Sequence, residues 1–303
     1  MSRGRRLGWL LTCAVLVAGC GEHRVKPPPE TAPATTPGAP APAAADVLIT
    51  RDFGARVLRT QQVAPGQSVL LALQGVADVS TRYGGRFVQS IDGTSGSLQR
   101  GEDWLYFVNG VEANVGAAEW TLRGGDTAWW DYRRWHAYPN VPAVVGAWPE
   151  PFVHGARAAP ASVAADPPLD APLRAAGAKV GGDATAPYRV LVGADRDLRA
   201  RDADWGRAED SPRMSGLTAW VRGSAVSRFN ANSSDNVVVP NGRAVAAATA
   251  TEAGGVVLAV TGVDAAAAAA AATAIARNPD LLAHRYAVVF DGAGNPVAYG
   301  GTS

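Results

Sequence analysis

The sequence predicts an α+β fold in two parts, and three observations predict it. Between residues 47 and 148, two strand-like runs are followed by one amphipathic stretch and then by several further strands. Between 255 and 290, an apolar strand, an alanine-rich helix and a second strand succeed one another, which gives residues 187–303 the pattern of a small α/β domain. Residues 149–186 separate the two. There Pro149, Pro151, Pro160, Pro167, Pro168 and Pro172 interrupt regular structure, and the stretch reads as a linker with one short helix near Leu173.

The N-terminus reads as an export signal over residues 1–19. Arg3, Arg5 and Arg6 precede a short apolar run from Leu7 to Val17, too short to span a bilayer comfortably. Ala18-Gly19-Cys20 comes next and resembles the bacterial lipobox, which implies that the Cys20 thiol carries a lipid and that Cys13 leaves with the signal. Residues 20–46 then form a tether of Pro, Ala and Thr, with too little apolar surface to fold and with prolines that favour an extended spacer. No later apolar run reaches transmembrane length. The expectation is a protein held at the outer face of the cytoplasmic membrane by the lipid anchor only.

In the first folded part, Val47–Ile49 and Arg56–Val63 carry the β-branched residues of strands, and Ala64-Pro65-Gly66 turns the chain out of the second. Ser68 suits the N-cap of a helix running to about Val79, weakened by Gly75. Arg86–Ile91 and Asp103–Val108 read as strands. The second ends at Asn109-Gly110, a dipeptide that tolerates positive φ. Val111–Val115, Glu119–Leu122 and Thr127–Trp135 complete the set. In the second part, Tyr188–Val192, Leu217–Arg222, Asn236–Val239 and Gly255–Thr261 read as strands. Asp264 caps a helix of nearly pure alanine, the strongest helix former, and Asn278-Pro279 stops it before the strand Tyr286–Phe290.

Six of the nine tryptophans fall between Asp103 and Trp148, joined there by Tyr106, Phe107, Tyr132 and Tyr138. Period-two alternation places Trp104, Tyr106 and Val108 on one face of a strand and Leu105, Phe107 and Asn109 on the other. On the last strand Trp130, Tyr132 and Arg134 share a face opposite Trp129, Asp131, Arg133 and Trp135. Both faces therefore carry rings. A small sheet with a one-sided core needs only one such face, so the surplus must meet a linker, the second domain or a ligand. The candidate ligand-binding residues are Trp104, Tyr106, Trp129, Trp130, Tyr132, Arg134 and Trp135.

At Trp104 the chain resembles the C-terminal domain of the transcobalamin and intrinsic factor proteins and related bacterial domains. The blocks that carry the likeness are residues 68–73 (SVLLAL), 85–93 (GRFVQSIDG), 103–111 (DWLYFVNGV) with 115–117, and 125–126 with 130–132. The resemblance covers about a third of the chain. It implies a β-grasp-like N-terminal domain that binds a small soluble ligand, with a corrinoid such as cobalamin as the known case. The helical barrel that supplies most vitamin contacts in the animal proteins has no counterpart here.

The formal net charge of +1 and the lack of a basic patch argue against nucleic acid. The four histidines, His23, His136, His154 and His284, lack metal-ligand spacing, and no nucleophile elbow, HExxH or phosphate loop occurs. Arg133 and Arg134 beside Asp131, and the run Asp195-Arg196-Asp197 to Asp204, read as solvated charge clusters. The sequence thus favours a non-catalytic binding protein without a metal site. Its partner is either a small soluble ligand or an envelope or transporter protein.

Overall fold

The computed structural model describes residues 43–135, 140–230 and 235–297. The export signal, Cys20, most of the tether, His136, Tyr138 and residues 232–234 lie outside the described residues. Strands dominate, in four sheets accompanied by five helices among the described residues.

The first sheet is built around β1 (Ala45–Arg51), whose apolar residues are buried on both faces. Its hairpin partner β2 (Arg56–Val63) is largely exposed at the sheet edge. Ser68 caps α1 (Val69–Gln74), its hydroxyl accepting from the Leu71 amide at 3.2 Å. The helix stops at Gly75, short of the predicted end, and Val79 opens β3 (Val79–Arg82) instead. With β4 (Phe87–Ile91) and β5 (Thr94–Ser95), β3 makes a small side sheet. Then β6 (Glu102–Val108) turns through Asn109 and Gly110, at φ 53° and 75°, into β7 (Val111–Glu112). The expected strand at Glu119–Leu122 is reduced to one bridge between Ser68 and Thr121. Finally β8 (Thr127–Arg134) inserts between β1 and β6, giving the order β2-β1-β8-β6-β7. The β1–β8 pair is parallel and the other pairs are antiparallel.

Residues 149–186 are not a bare linker. They contribute the short helix expected near Leu173, α2 (Asp170–Ala175), and also β9 (Val163–Ala165), parallel to the next strand. Phe152, Val163, Leu169 and Leu173 are buried in the same apolar cluster as the second sheet. The prolines stop long elements here, but the apolar residues between them still find a core to enter.

The second sheet has the order β16-β14-β15-β10-β9, from β10 (Tyr188–Ala194), β14 (Ala244–Ala250), β15 (Val256–Gly262) and β16 (Val288–Phe290). After β10 come α3 (Asp195–Arg201), α4 (Ala203–Asp210) and a three-stranded sheet of β11 (Ala219–Arg222), β12 (Ala225–Phe229) and β13 (Asn236–Val238). The alanine-rich helix α5 (Ala265–Arg277) is capped by Asp264, which accepts from Ala267 N at 2.8 Å. It links β15 to β16, yet β14 lies between those two strands. Ala267, Ala268, Ala271, Ala272 and Ile275 form its buried face. The charge run from Asp195 keeps Arg196, Asp197, Arg199 and Arg201 on an exposed helix face, but Asp202 and Asp204 turn inward. Buried Arg189 takes Asp202 at 2.6 and 3.1 Å and Asp204 at 2.5 Å, while Asp202 also caps α4 by accepting from Trp205 N.

Residues 42–303 fall into one unit. Residues 140–148 run along the seam: Val144 N donates to Gly110 O at 2.9 Å, and His284 N donates to Gly146 O at 3.2 Å. Two glycines permit the close approach. A Cβ on Gly146 would sit 2.4 Å from Arg285 N, and one on Gly54, at φ +79°, would sit 2.0 Å from His284 O.

Leu48, Phe107 and Trp129 of the first sheet share a core with Trp220, Val245, Val257 and Tyr286. Trp129→Ala is therefore expected to cost about 3–5 kcal/mol, the usual penalty for emptying a buried indole site. Denaturant unfolding measures it; a change below about 0.5 kcal/mol, typical of surface positions, would contradict this packing.

Candidate functional site

The alternation read from the sequence sorts the rings correctly, but the structure covers both faces. Trp104, Tyr106, Trp130 and Tyr132 are buried against α1, Ile49 and Val88 in one cluster. Tyr106 stacks on Trp130 at 4.8 Å, and Trp104 tilts against Tyr132 at 5.2 Å. Three of their polar ends are satisfied internally: Trp104 Nε1 donates to Thr94 O, the Tyr106 hydroxyl to Val115 O and the Tyr132 hydroxyl to Ser95 O, whereas the buried Trp130 Nε1 has no hydrogen-bond partner among the described residues. Trp129 faces the other way, against Phe107 and Tyr286, with its Nε1 donating to Thr50 Oγ1 at 2.7 Å. Trp135 is half-buried, and exposed Arg134 pairs with Glu102 at 3.3 Å. The five buried rings are interior rather than a binding face, because the second half of the chain covers the surplus.

On the Trp129 face lies Asp131, fully buried. It accepts from Thr50 Oγ1 at 2.6 Å, Phe53 N at 3.1 Å, Gly54 N at 3.2 Å and the Tyr286 hydroxyl at 3.0 Å. Burial pushes its carboxyl up to about 6, opposed by these donors and by Arg133. The Arg133 guanidinium is buried over the rings of Phe53 and Tyr286, at 5.6 and 5.8 Å, and faces Glu112 at 3.7 Å. The solvated cluster expected of Asp131 and Arg133 is thus internal, because the second half of the chain covers it.

Two concavities among the described residues lie at the periphery. A groove of about 490 Å³ runs between β2 and α1, lined by Arg59, Gln61 and Gln62 on the strand and by Gln67, Ala72 and Val76 around the helix. A smaller cleft of about 190 Å³ lies where α3, α4 and β11 meet, lined by Asp195, Arg199, Glu209, Asp210, Trp220 and Arg222. Glu209 is only 5 % exposed, and neither of its oxygens has a hydrogen-bond partner among the described residues. The Val221 amide lies nearby without closing a hydrogen bond. Burial, reinforced by the Asp195 charge, pushes the Glu209 carboxyl up to about 9. No motif in the sequence singles this residue out. The one available signal is helical spacing, since Glu209 falls one turn after Trp205, on the apolar side of α4.

Residues 66–134 match the family model described as a domain of unknown function (DUF4430). No curated protein matches the chain. Among solved structures, a "putative metal binding protein" from Ruminococcus gnavus ATCC 29149 is 15 % identical, with a TM-score of 0.26, over 30 % of this chain and 97 % of that one. Haptocorrin in complex with Cbi is 14 % identical, with a TM-score of 0.25, over 30 % of this chain. This chain spans only 25 % of haptocorrin. Likeness of this degree fixes neither fold nor ligand.

Removing the Tyr286 hydroxyl takes one donor from a buried carboxylate. Tyr286→Phe is expected to lower stability by about 1.5–3 kcal/mol and to raise the Asp131 pKa further, read by denaturant unfolding across pH. Glu209 gives a prediction of opposite sign. Its carboxyl holds a proton more tightly in the folded chain, at about 9, than at its ordinary 4.5. Its contribution is therefore fully present below the unfolded value and is lost as pH rises through the folded one. Glu209→Gln should flatten that slope and be more stable than wild type at alkaline pH by a few kcal/mol. An unchanged slope would show that Glu209 titrates normally.

Proposed function

We propose that this chain is an exported, lipid-anchored and non-catalytic binding protein, and that its first half holds a small soluble ligand. The groove between β2 and α1 carries the reading. It is the larger concavity described, it falls in the 300–1,000 Å³ range of ligand sites, and three glutamine side chains and Arg59 line it beside apolar Ala72 and Val76. Part of its wall lies within residues 66–134. The order β2-β1-β8-β6 with a parallel central pair supports reading this half as β-grasp-like. Basic residues, apolar run and Ala18-Gly19-Cys20 in succession support export and lipidation.

The lining suits a ligand that offers several amide or carbonyl groups to glutamine side chains and an apolar edge to α1. A corrinoid, the class implied by the sequence resemblance, carries a rim of amides. A groove of this volume holds one edge of such a macrocycle, or the whole of a smaller molecule. A protein partner is the second reading. It is favoured by one observation: edge strand β2 presents Val57 and Leu58, each 48 % exposed, beside its unpaired backbone edge.

Calorimetry of the chain against cobalamin, cobinamide and a panel of amide-bearing metabolites tests the first reading. The double variant Gln61→Ala, Gln62→Ala should weaken binding about tenfold without altering the melting temperature, because both side chains are exposed. Affinity unchanged by that variant would remove the groove from the proposal. Silence across the panel, with cross-linked protein recovered at β2, would move the assignment to the second reading.

A further inference from the structure

The smaller cleft stands apart from the groove and needs none of the preceding assignment. Asp195 opens α3, Glu209 lies in the last turn of α4, and Trp220 of β11 forms the wall beside them. Asp195 and Glu209 line this cleft, and three of their oxygens are buried without a hydrogen-bond partner among the described residues: Oε1 and Oε2 of Glu209, and Oδ1 of Asp195. Buried polar atoms are paired in the great majority of cases, so three orphaned acceptors in one cleft call for donors. The Asp195 charge adds to burial in disfavouring proton loss from Glu209.

We propose that this cleft is a binding site for a primary ammonium group. An alkylammonium carries three donors and no acceptor, which matches three unpartnered acceptors. Its single charge also fits. The wall presents Asp195, Glu209 and Asp210 against Arg199 and Arg222, and Arg199 is already paired with Asp210. One positive charge neutralises the ionised cleft, whereas a divalent cation overshoots it. Among the described residues no group of three His, Cys, Asp or Glu side chains is arranged to hold a metal. An anion would meet Asp195 and Glu209 directly. A volume of about 190 Å³ is below that of whole-ligand pockets and suits a head group, with the Trp220 indole as a wall for the cation.

The proton balance is set by the burial of Glu209. At neutral pH its carboxyl is protonated in the empty cleft. An arriving ammonium favours the carboxylate, so the carboxyl O–H bond breaks, the proton passes to buffer, and the ammonium nitrogen keeps its own three protons. The charged groups facing this event are Asp195 and Arg199 on α3, Asp210 on α4 and Arg222 on β11.

Calorimetric titration of the full chain with methylammonium and with Nα-acetyl-lysine amide, in two buffers of different ionisation enthalpy at neutral pH, tests the site. Saturable binding with about one proton released per ammonium is expected. Glu209→Gln and Asp195→Asn should each weaken it about tenfold or more while circular dichroism shows the fold retained. Tetramethylammonium, which has no N–H donor, should not compete. Tighter binding of the lysine amide would assign the site to a lysine side chain of a partner, and tighter binding of methylammonium to a free amine; both support the site. No saturable heat with either probe would overturn the proposal. So would equal competition by tetramethylammonium, or displacement of methylammonium by calcium at equal concentration. None of these outcomes bears on the β2–α1 groove.

Discussion

The structure depends on one buried anion. Asp131 sits between the two sheets and collects four donors, from Thr50, from the backbone of Phe53 and Gly54, and from Tyr286, which is 155 residues away in sequence. Delivering those two amides forces Asp52 and Phe53 to φ near 60°, a conformation that costs L-residues roughly 1–2 kcal/mol each. Hydrogen bonds to a charged acceptor are about twice as strong as neutral ones, which offsets the bend. Arg133 adds a cation close by, and the rings of Phe53, Phe107 and Trp129 enclose Tyr286 at 5.3–5.6 Å, edge-on. Charge, hydrogen bonding and aromatic packing thus converge on the same few cubic ångströms.

That convergence decides where anything else can bind. The central sheet is covered by α1 and its cluster on one side and by the second half of the chain on the other. The buried rings are consumed as interior, and the two concavities described lie at the margins, where β2 meets α1 and where α3, α4 and β11 meet. The margins differ in chemistry. The first is rich in amides, with Arg59 at its wall. The second is ionic, and within it Glu209 is buried with neither oxygen hydrogen-bonded among the described residues.

Much of the local structure is legible in the residues. Period-two alternation sorts Trp104, Tyr106, Trp130 and Tyr132 from Phe107 and Trp129. Asn109-Gly110 marks its turn, and Ser68 and Asp264 mark their caps. Other elements are not legible, for stateable reasons. β14 is AVAAATA, a composition that favours helix, and only burial between β15 and β16 makes it a strand. The Pro-rich stretch discloses its short helix near Leu173 but conceals β9, because a three-residue strand carries no periodicity. Sequence patterns report that a face is apolar, not what covers it. The same second layer turns a candidate binding face into core and a solvated-looking Asp131–Arg133 pair into the junction. Glu209 stays hidden because one carboxylate among α4's charges does not reveal which of them points inward.

The way Gly54 and Gly146 let two backbones touch has an evolutionary reading. Neither half can be traded like a bead on a string. A copy of residues 47–148 released from its neighbour would bare Leu48, Phe107 and Trp129 to water and carry a carboxylate stripped of one phenol. A lineage that inherits this N-terminal half must therefore inherit its cover too, or rebuild that surface with polar residues.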